Sequence, residues 1–477
     1  MNQYSYFRSP RFHRLVVVSV VAIALIGFFF WYKLFRTVIT AYADPVENFK
    51  YGSIGVEQPA GLPYWIWIVL PRIFADKLPG PGGYAALGAS WEMGRELPIG
   101  FTKEIVGMER VGVNCAGCHT TSVRSGPDQA PQFYFGGPTS RFQPQGYVRF
   151  LFACAHDDRF NSTTIMKEIL AIYKMPLVDR VLYRYLIIPA TKSALLKSEK
   201  VDYYWMPERP DWGPGRTDMN PFQRQVMRLP DDHTVGSTDV MPIWNEQARE
   251  GLLHHSDGLN TTLIESARSA ALAAGATKSS IDIPSIGRTV AWLRTLPPPK
   301  YAFSIDQALA AKGQPIFTAR CADCHAFGAP RTGTVVSLNE VGTDPHRNKH
   351  WSQHSADVFN QWANGYPWAF HHFRSSDGYL SPPLDGLWLR APYLHNGSVP
   401  NMREMLLPPE QRSKVFYRGY DVYDQVNMGF VSSGPQAGLE GFRFDTSIVG
   451  NSNQGHTYGT DLSDGDKQAL IEYLKTL

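Results

Sequence analysis

Cysteine and histidine come together twice in one pattern, Cys115-Ala116-Gly117-Cys118-His119 and Cys321-Ala322-Asp323-Cys324-His325. Two thiols at this spacing can each add across a haem vinyl group, and the imidazole that follows then reaches the iron from one side of the ring. Two C-x-x-C pairs could also build a zinc site or a thioredoxin-like redox pair. Neither explains a His directly after both second cysteines. The reading is two covalently bound haem c groups, held by Cys115, Cys118, Cys321 and Cys324, with His119 and His325 as iron ligands.

Cys154 is the one cysteine outside these motifs, and the apolar residues before it, Phe150-Leu151-Phe152-Ala153, give it the character of a buried small hydrophobe. The chain is long enough, at 477 residues, for two or three domains, and its net charge is only +3. Much of the basic excess, Arg8, Arg11, Arg14, Lys33 and Arg36, flanks a single apolar segment, so nucleic acid is not an expected partner.

That segment, residues 15–32, is uncharged and as a helix would span roughly 27 Å, enough to cross a hydrocarbon core. The larger cation cluster precedes it, which puts the N-terminus in the cytoplasm and the rest of the chain in the periplasm of a bacterial inner-membrane, single-pass protein. Ala41-Tyr42-Ala43 resembles a signal-peptide cleavage site, yet the apolar run is longer than a typical signal core and Lys33 and Arg36 intervene. The assignment is a cytoplasmic N-terminus at 1–14 and a transmembrane anchor at 15–36.

Residues 37–99 form a connecting segment packed on the first haem domain. Its aromatic run from Tyr64 to Leu70 is too short to span a bilayer and reads as interfacial or buried. The N-terminal haem domain covers 100–298, with helical patterns at 147–153, 162–173, 177–187 and 281–296 and a Pro/Gly-rich, irregular stretch at 203–245. A long irregular segment in a compact domain usually lines a site. Pro297-Pro298-Pro299 stops the last helix and marks the boundary.

The C-terminal haem domain covers 299–477. Ser304 with Gln307 reads as a capping box for a helix carrying Leu309, Gly313, Ile316 and Phe317 on one face, with Pro315 as a kink. Ser463 and Asp466 cap a closing amphipathic helix with Leu470, Tyr473, Leu474 and Leu477. Gly313 would let the two helices cross closely. Helix, haem motif, long loops and closing helix make a cytochrome c module, and the fold expected is mainly α, an N-terminal membrane helix followed by two cytochrome c-like domains.

The run from Pro382 to Pro400, PPLDGLWLRAPYLHNGSVP, resembles a block of the di-haem cytochrome c peroxidase superfamily. Gly213-Pro214-Gly215-Arg216, Trp244-Asn245, Leu253-His254-His255-Ser256-Asp257-Gly258 and Gly455-His456-Thr457-Tyr458-Gly459 are similar to its di-haem rubber oxygenase branch. The similarity extends over most of the chain after about residue 62. It implies an N-terminal haem that is the dioxygen site, with only its proximal His, here His119, as a fixed ligand. It also implies a C-terminal haem with two His ligands, His325 and a distal residue best matched by His456. The apolar anchor and the shorter length depart from the rubber-cleaving enzymes, whose substrate is an apolar polyene.

For the second haem's sixth ligand the chain offers His346, His350, His354, His371, His372, His395 and His456, with Met402 and Met405 as sulfur alternatives. His456 sits in a glycine-flanked loop ahead of the closing helix, which favours it. His395 is the next candidate and otherwise holds its loop or a haem propionate by hydrogen bonds. His371-His372 and His254-His255 read as loop histidines. Arg216 and Arg390 lie in Gly/Pro-bounded turns and could each grip a propionate bidentately or form an ordinary salt bridge.

Three classes follow: a pure electron carrier, which needs both irons six-coordinate; a peroxidase, which needs an open iron beside an acid–base group; and an oxygenase, which needs an open iron in a dry pocket. His119 is the catalytic candidate for the latter two. The partners expected are a periplasmic or membrane electron-transfer protein and a small oxidant, peroxide or dioxygen. Denatured protein is expected to retain two haems per chain in a haemochrome assay, with Cys115→Ala or Cys324→Ala impairing one site each. Haem that is extractable by acid acetone would overturn the attachment.

Overall fold

A computed structural model describes residues 10–477 except 228, 230 and 231, together with the backbone but not the side chains of 222, 223 and 225. Arg8, part of the cation cluster, lies outside the described residues. Helix accounts for 44% and strand for 12%, which bears out a mainly helical chain.

The first helix, α1 (Pro10–Phe35), has 26 residues, about 39 Å at 1.5 Å per residue, and buries none of them against the protein. Its length and apolarity suit a membrane span and equally a leader sequence. Strand β1 (Thr37–Val38) follows, then helix α2 (Pro45–Tyr51), strand β2 (Leu62–Pro63) and helix α3 (Tyr64–Ile73). The aromatic run is this last helix, and Ile66, Val69 and Leu70 are fully buried, so it is a core element. Strands β3 (Phe101–Val106) and β4 (Met108–Val113) complete a four-stranded antiparallel sheet in the order β1-β3-β4-β2, which the expected pattern of helices did not include.

Beyond the sheet come the one-turn helix α4 (Cys115–Cys118), the hairpin of β5 (Thr120–Val123) and β6 (Gln132–Phe135), and helices α5 (Pro144–His156), α6 (Ser162–Ile172), α7 (Leu177–Leu182) and α8 (Ile188–Val201). The last two form one rod through a π-helical turn at Tyr183–Ile187. Pro189 lacks an N–H and cannot close a regular turn there, which accounts for the widened turn and extends the expected helix past 187. Cys154 is fully buried, in one apolar cluster with Phe74 and Phe160. The stretch 203–245 is less irregular than its Pro and Gly suggest: it carries helix α9 (Met219–Met227) and the paired strands Arg216–Asp218 and Ser237–Asp239.

Helices α10 (Leu263–Ala273) and α11 (Ile283–Thr295) precede the prolines, and α12 (Gln307–Arg320) and α13 (Ala322–His325) follow them. The cap of α12 is Asp306, not Ser304: its carboxylate accepts from Leu309 N at 2.9 Å, and its own N–H donates to Glu472 Oε2 at 3.1 Å. A carboxylate two residues nearer the helix satisfies the free N–H groups, so the Ser is not needed. Pro315 is accommodated inside a continuous helix. Ser463 caps the closing helix Asp464–Leu474 as expected, accepting from Asp466 N at 3.2 Å.

These two helices cross at Gly313, where an added Cβ would stand 2.0 Å from Ala469 O, a backbone atom that cannot yield. Phe317 and Tyr473 pack beside the crossing at 5.2 Å between ring centres. Gly313→Ala is therefore expected to lower stability by about 2 kcal/mol in denaturant titration, the overpacking cost exceeding the gain in helix propensity. Gly287→Ala, in α11 where an added Cβ meets nothing within 4 Å, should be neutral or stabilising by up to about 1 kcal/mol.

Candidate haem sites

The first motif is held from both sides. Asn114 Oδ1 accepts from Ala116 N at 3.0 Å and caps α4, while its Nδ2 donates to Phe49 O at 3.0 Å and Gly52 O at 2.9 Å. Gly100 lies against the helix so closely that a Cβ there would be 2.1 Å from Gly117 N. Beyond the helix, His119 O and Cys118 O accept from Gly136 N and Thr139 N at 2.9 and 2.8 Å. Burial pushes the Cys115 thiol up to about 11 and Cys118 up to about 12, so both are neutral in this environment.

His119 borders a cavity of about 340 Å³ together with Cys115 and Cys118. Its Nδ1 is buried without a well-formed hydrogen bond, and burial lowers the imidazole to about 4, so it is neutral and able to ligate a metal. The same lining carries groups that the sequence did not single out as site residues. His254 and His255, read as loop histidines, are in a loop but line this cavity, as do Glu246, Arg249 and Arg347. His255 adopts a left-handed backbone, φ +66°, and its Nε2 is buried with no partner. Burial raises the Glu246 carboxyl to about 7, and its Oε2 is 3.7 Å from His254 Nδ1, too far for a hydrogen bond. The only prior signal for Glu246 was its place directly after Trp244-Asn245.

The same cavity reaches Pro382, Pro383 and Arg390, next to the second motif. Arg390 and Arg249 share the single carboxylate of Asp385, Arg390 Nη2 at 2.9 Å from Oδ1, and Arg390 Nε has no partner. Two guanidiniums on one buried carboxylate leave a cationic excess suited to a further carboxylate, such as a haem propionate. Arg216 is 1% exposed and donates to Ser237 Oγ at 3.3 Å beneath the rings of Trp212 and Phe444, with its Nε unpartnered. It is not among the lining residues of that cavity.

At the second motif His325 Nδ1 donates to Pro382 O at 2.7 Å, so Nε2 is the nitrogen left for a metal. The His456 ring stands 6.3 Å from it, centre to centre, at 42°. Two imidazoles on opposite sides of one metal, with bonds of about 2.0 Å and about 1.2 Å from each nitrogen to its ring centre, would be about 6.4 Å apart. These residues fit a group ligated from both faces. The 453–456 loop is clamped: His456 N donates to Val341 O at 2.7 Å, and buried Arg412 donates to Asn453 O, Gly455 O and His456 O at 2.6, 2.9 and 3.1 Å. Gly455 is required, since a Cβ would meet Gly342 C at 2.2 Å. Nothing in the sequence pointed to Arg412 or to the Pro382 carbonyl.

His395 lies elsewhere, stacked on Tyr379 at 3.7 Å, with its carbonyl accepting from Asp239 N at 2.8 Å and its Nε2 buried without a partner. Met402 and Met405 are buried in the apolar core around Trp388. His371 N and His372 N donate to Glu265 at 3.0 and 3.1 Å, and the His372 ring contacts it at 2.7 Å, as loop histidines.

Residues 378–417, which include Pro382, Arg390 and His395, match a family model described as RoxA-like, cytochrome c-like. The chain is 29% identical over 287 residues to the uncharacterised protein y4iM of Sinorhizobium fredii, across 50% of this chain and 64% of that protein. It is 42% identical over 108 residues to the uncharacterised protein y4iJ of the same organism, across 21% and 18% of the two chains. The chain thus spans less than two thirds of either relative. What these comparisons establish is a RoxA-like, cytochrome c-like region, the mark of a c-type cytochrome.

Proposed function

We propose that the chain is a membrane-anchored, periplasm-facing di-haem oxidoreductase, its two cytochrome c-like domains meeting at the cavity between the motifs. A bound haem c supplies one-electron transfer and, where its iron is open, chemistry with peroxide or dioxygen. The observation that carries this reading is the unequal setting of the two motif histidines. His325 is paired with a clamped His456 at 6.3 Å, while His119 faces a cavity.

In the second domain the carbonyl of Pro382 fixes the tautomer of His325, and Val341 and Arg412 hold His456 opposite, so both imidazoles are preorganised and the site is suited to electron exchange. In the first, His119 would hold the haem iron, and Arg249 and Arg390 are candidates to neutralise a propionate. Glu246, raised to about 7, can hold or release a proton near neutral pH and meets the acid–base requirement of a peroxidase. The apolar lining from Leu253, Leu259, Leu263 and Phe373 keeps water low, which an oxygenase requires. The unpartnered His255 Nε2 in the same cavity favours a second reading, electron transfer alone, if that imidazole also ligates.

Carbon monoxide is expected to shift the reduced spectrum of about one haem per chain, and of about two in His456→Ala. His119→Ala should abolish turnover while leaving the low-spin signal of the second haem. No carbon monoxide binding by the wild-type protein at any redox state would remove the enzyme reading and leave electron transfer; binding restored by His255→Ala would identify the ligand responsible.

A further inference from the structure

A second, larger cavity of about 1460 Å³ adjoins the first and shares Asn114, Cys118 and Thr217 with it. It has no part in the ligation just described. One end is lined by Leu34 and Phe35, the last turn of α1, and the other by Asn114, Gly117 and Cys118 of the first motif. Along its length runs one face of the α7–α8 rod, where Ile187, Ala190, Ala194, Ser198 and Val201 recur at helical spacing. Small side chains there leave a trough, and Leu151 and Phe152 of α5 also line the cleft.

The end near α1 has the character of a bilayer surface. Lys33 at the foot of α1 pairs with Asp179 of α7 at 2.9 Å, which sets α7 beside the membrane helix. There Leu177 is 75% exposed and Tyr185 73%, with Val181 and Leu186 also open, a cluster a water-facing surface does not normally carry. The cleft wall also has a sign: Arg110, Lys197 and Lys278 line it, against Asp202 as its one carboxylate among the described lining residues.

We propose that this cleft admits a long-chain fatty acid from the bilayer, its acyl chain lying along α8 towards Cys118 and its carboxylate balanced by the lining cations. Apolar walls suit the chain, the excess of cations selects an anionic head, and the mouth at the foot of α1 supplies the source. The inference rests on the anchored reading only for that source.

Full-length holoprotein in lipid nanodiscs, titrated with stearate spin-labelled near its methyl end, tests it. Saturable binding of about one stearate per chain is expected, with the label's signal broadened by the nearby iron. Ala190→Trp and Ala194→Trp, which fill the trough, should weaken binding about tenfold or more while haem content and the haem spectrum stay unchanged. Should either Trp variant fail to fold, Lys197→Glu with Lys278→Glu should produce a weakening of similar size. Equal binding of methyl stearate, or affinity unmoved by the trough-filling and charge-reversing variants, would overturn the proposal. Release of the chain from membranes by alkali would remove the anchored reading alone, leaving the titration as the test of the cleft.

Discussion

The hydrogen bond from His325 Nδ1 to the carbonyl of Pro382 is the constraint on which the C-terminal half depends. An imidazole serves as a metal ligand only if one nitrogen is free and the ring does not turn, and a main-chain acceptor meets both conditions without competing for the metal. That acceptor must itself be immobile. It lies in the stretch shared with RoxA-like cytochromes, between strand Gly378–Leu380, paired with Val335–Ser337, and the buried turn around Trp388. Before His325 in the chain, α12 and the closing helix meet backbone to backbone at Gly313, so His325 is supported by two parts of the chain far apart in sequence.

The N-terminal site is built on a different logic. There the motif helix is gripped by Asn114 and Gly100, but the cavity it faces carries, among its apolar walls, groups that are costly to bury. Glu246, His254, His255, Arg249, Arg347 and Arg390 stand within one lining, several with an unpartnered atom. Buried unpaired polar groups are rare because each forfeits its hydration. Their accumulation in one place marks the region as shaped for something other than stability, and the cations among them suit the carboxylates that every haem carries.

What was legible in the sequence follows from how far each determinant reaches. The apolar helix, the Ser463 cap and the Gly313 crossing follow from local patterns, and each is found where the spacing placed it. The four-stranded sheet was not legible, because β1 and β2 are two-residue strands whose partners lie dozens of positions away. Asp306 displaced Ser304 at the cap through a contact with Glu472, again a long-range effect. His456 could be favoured over His395 from its glycine setting, yet the clamp by Arg412 and the stacking of His395 on Tyr379 depend on tertiary packing. His254 and His255 show the converse: their loop position is legible in the sequence, but their orientation towards the cavity is set by tertiary packing.

The join between α1 and the body is not a tether. Gly107 N donates to Arg36 O at 2.7 Å, β1 anneals to β3 immediately afterwards, and Lys33 is pinned to Asp179. An embedded α1 would thus act as an axle rather than a leash. The body would turn and tilt with it as one piece, and a haem held in it would keep a set height above the lipid. Contact with another membrane protein would then become a search in two dimensions, restricted to surfaces that stand at a matching level.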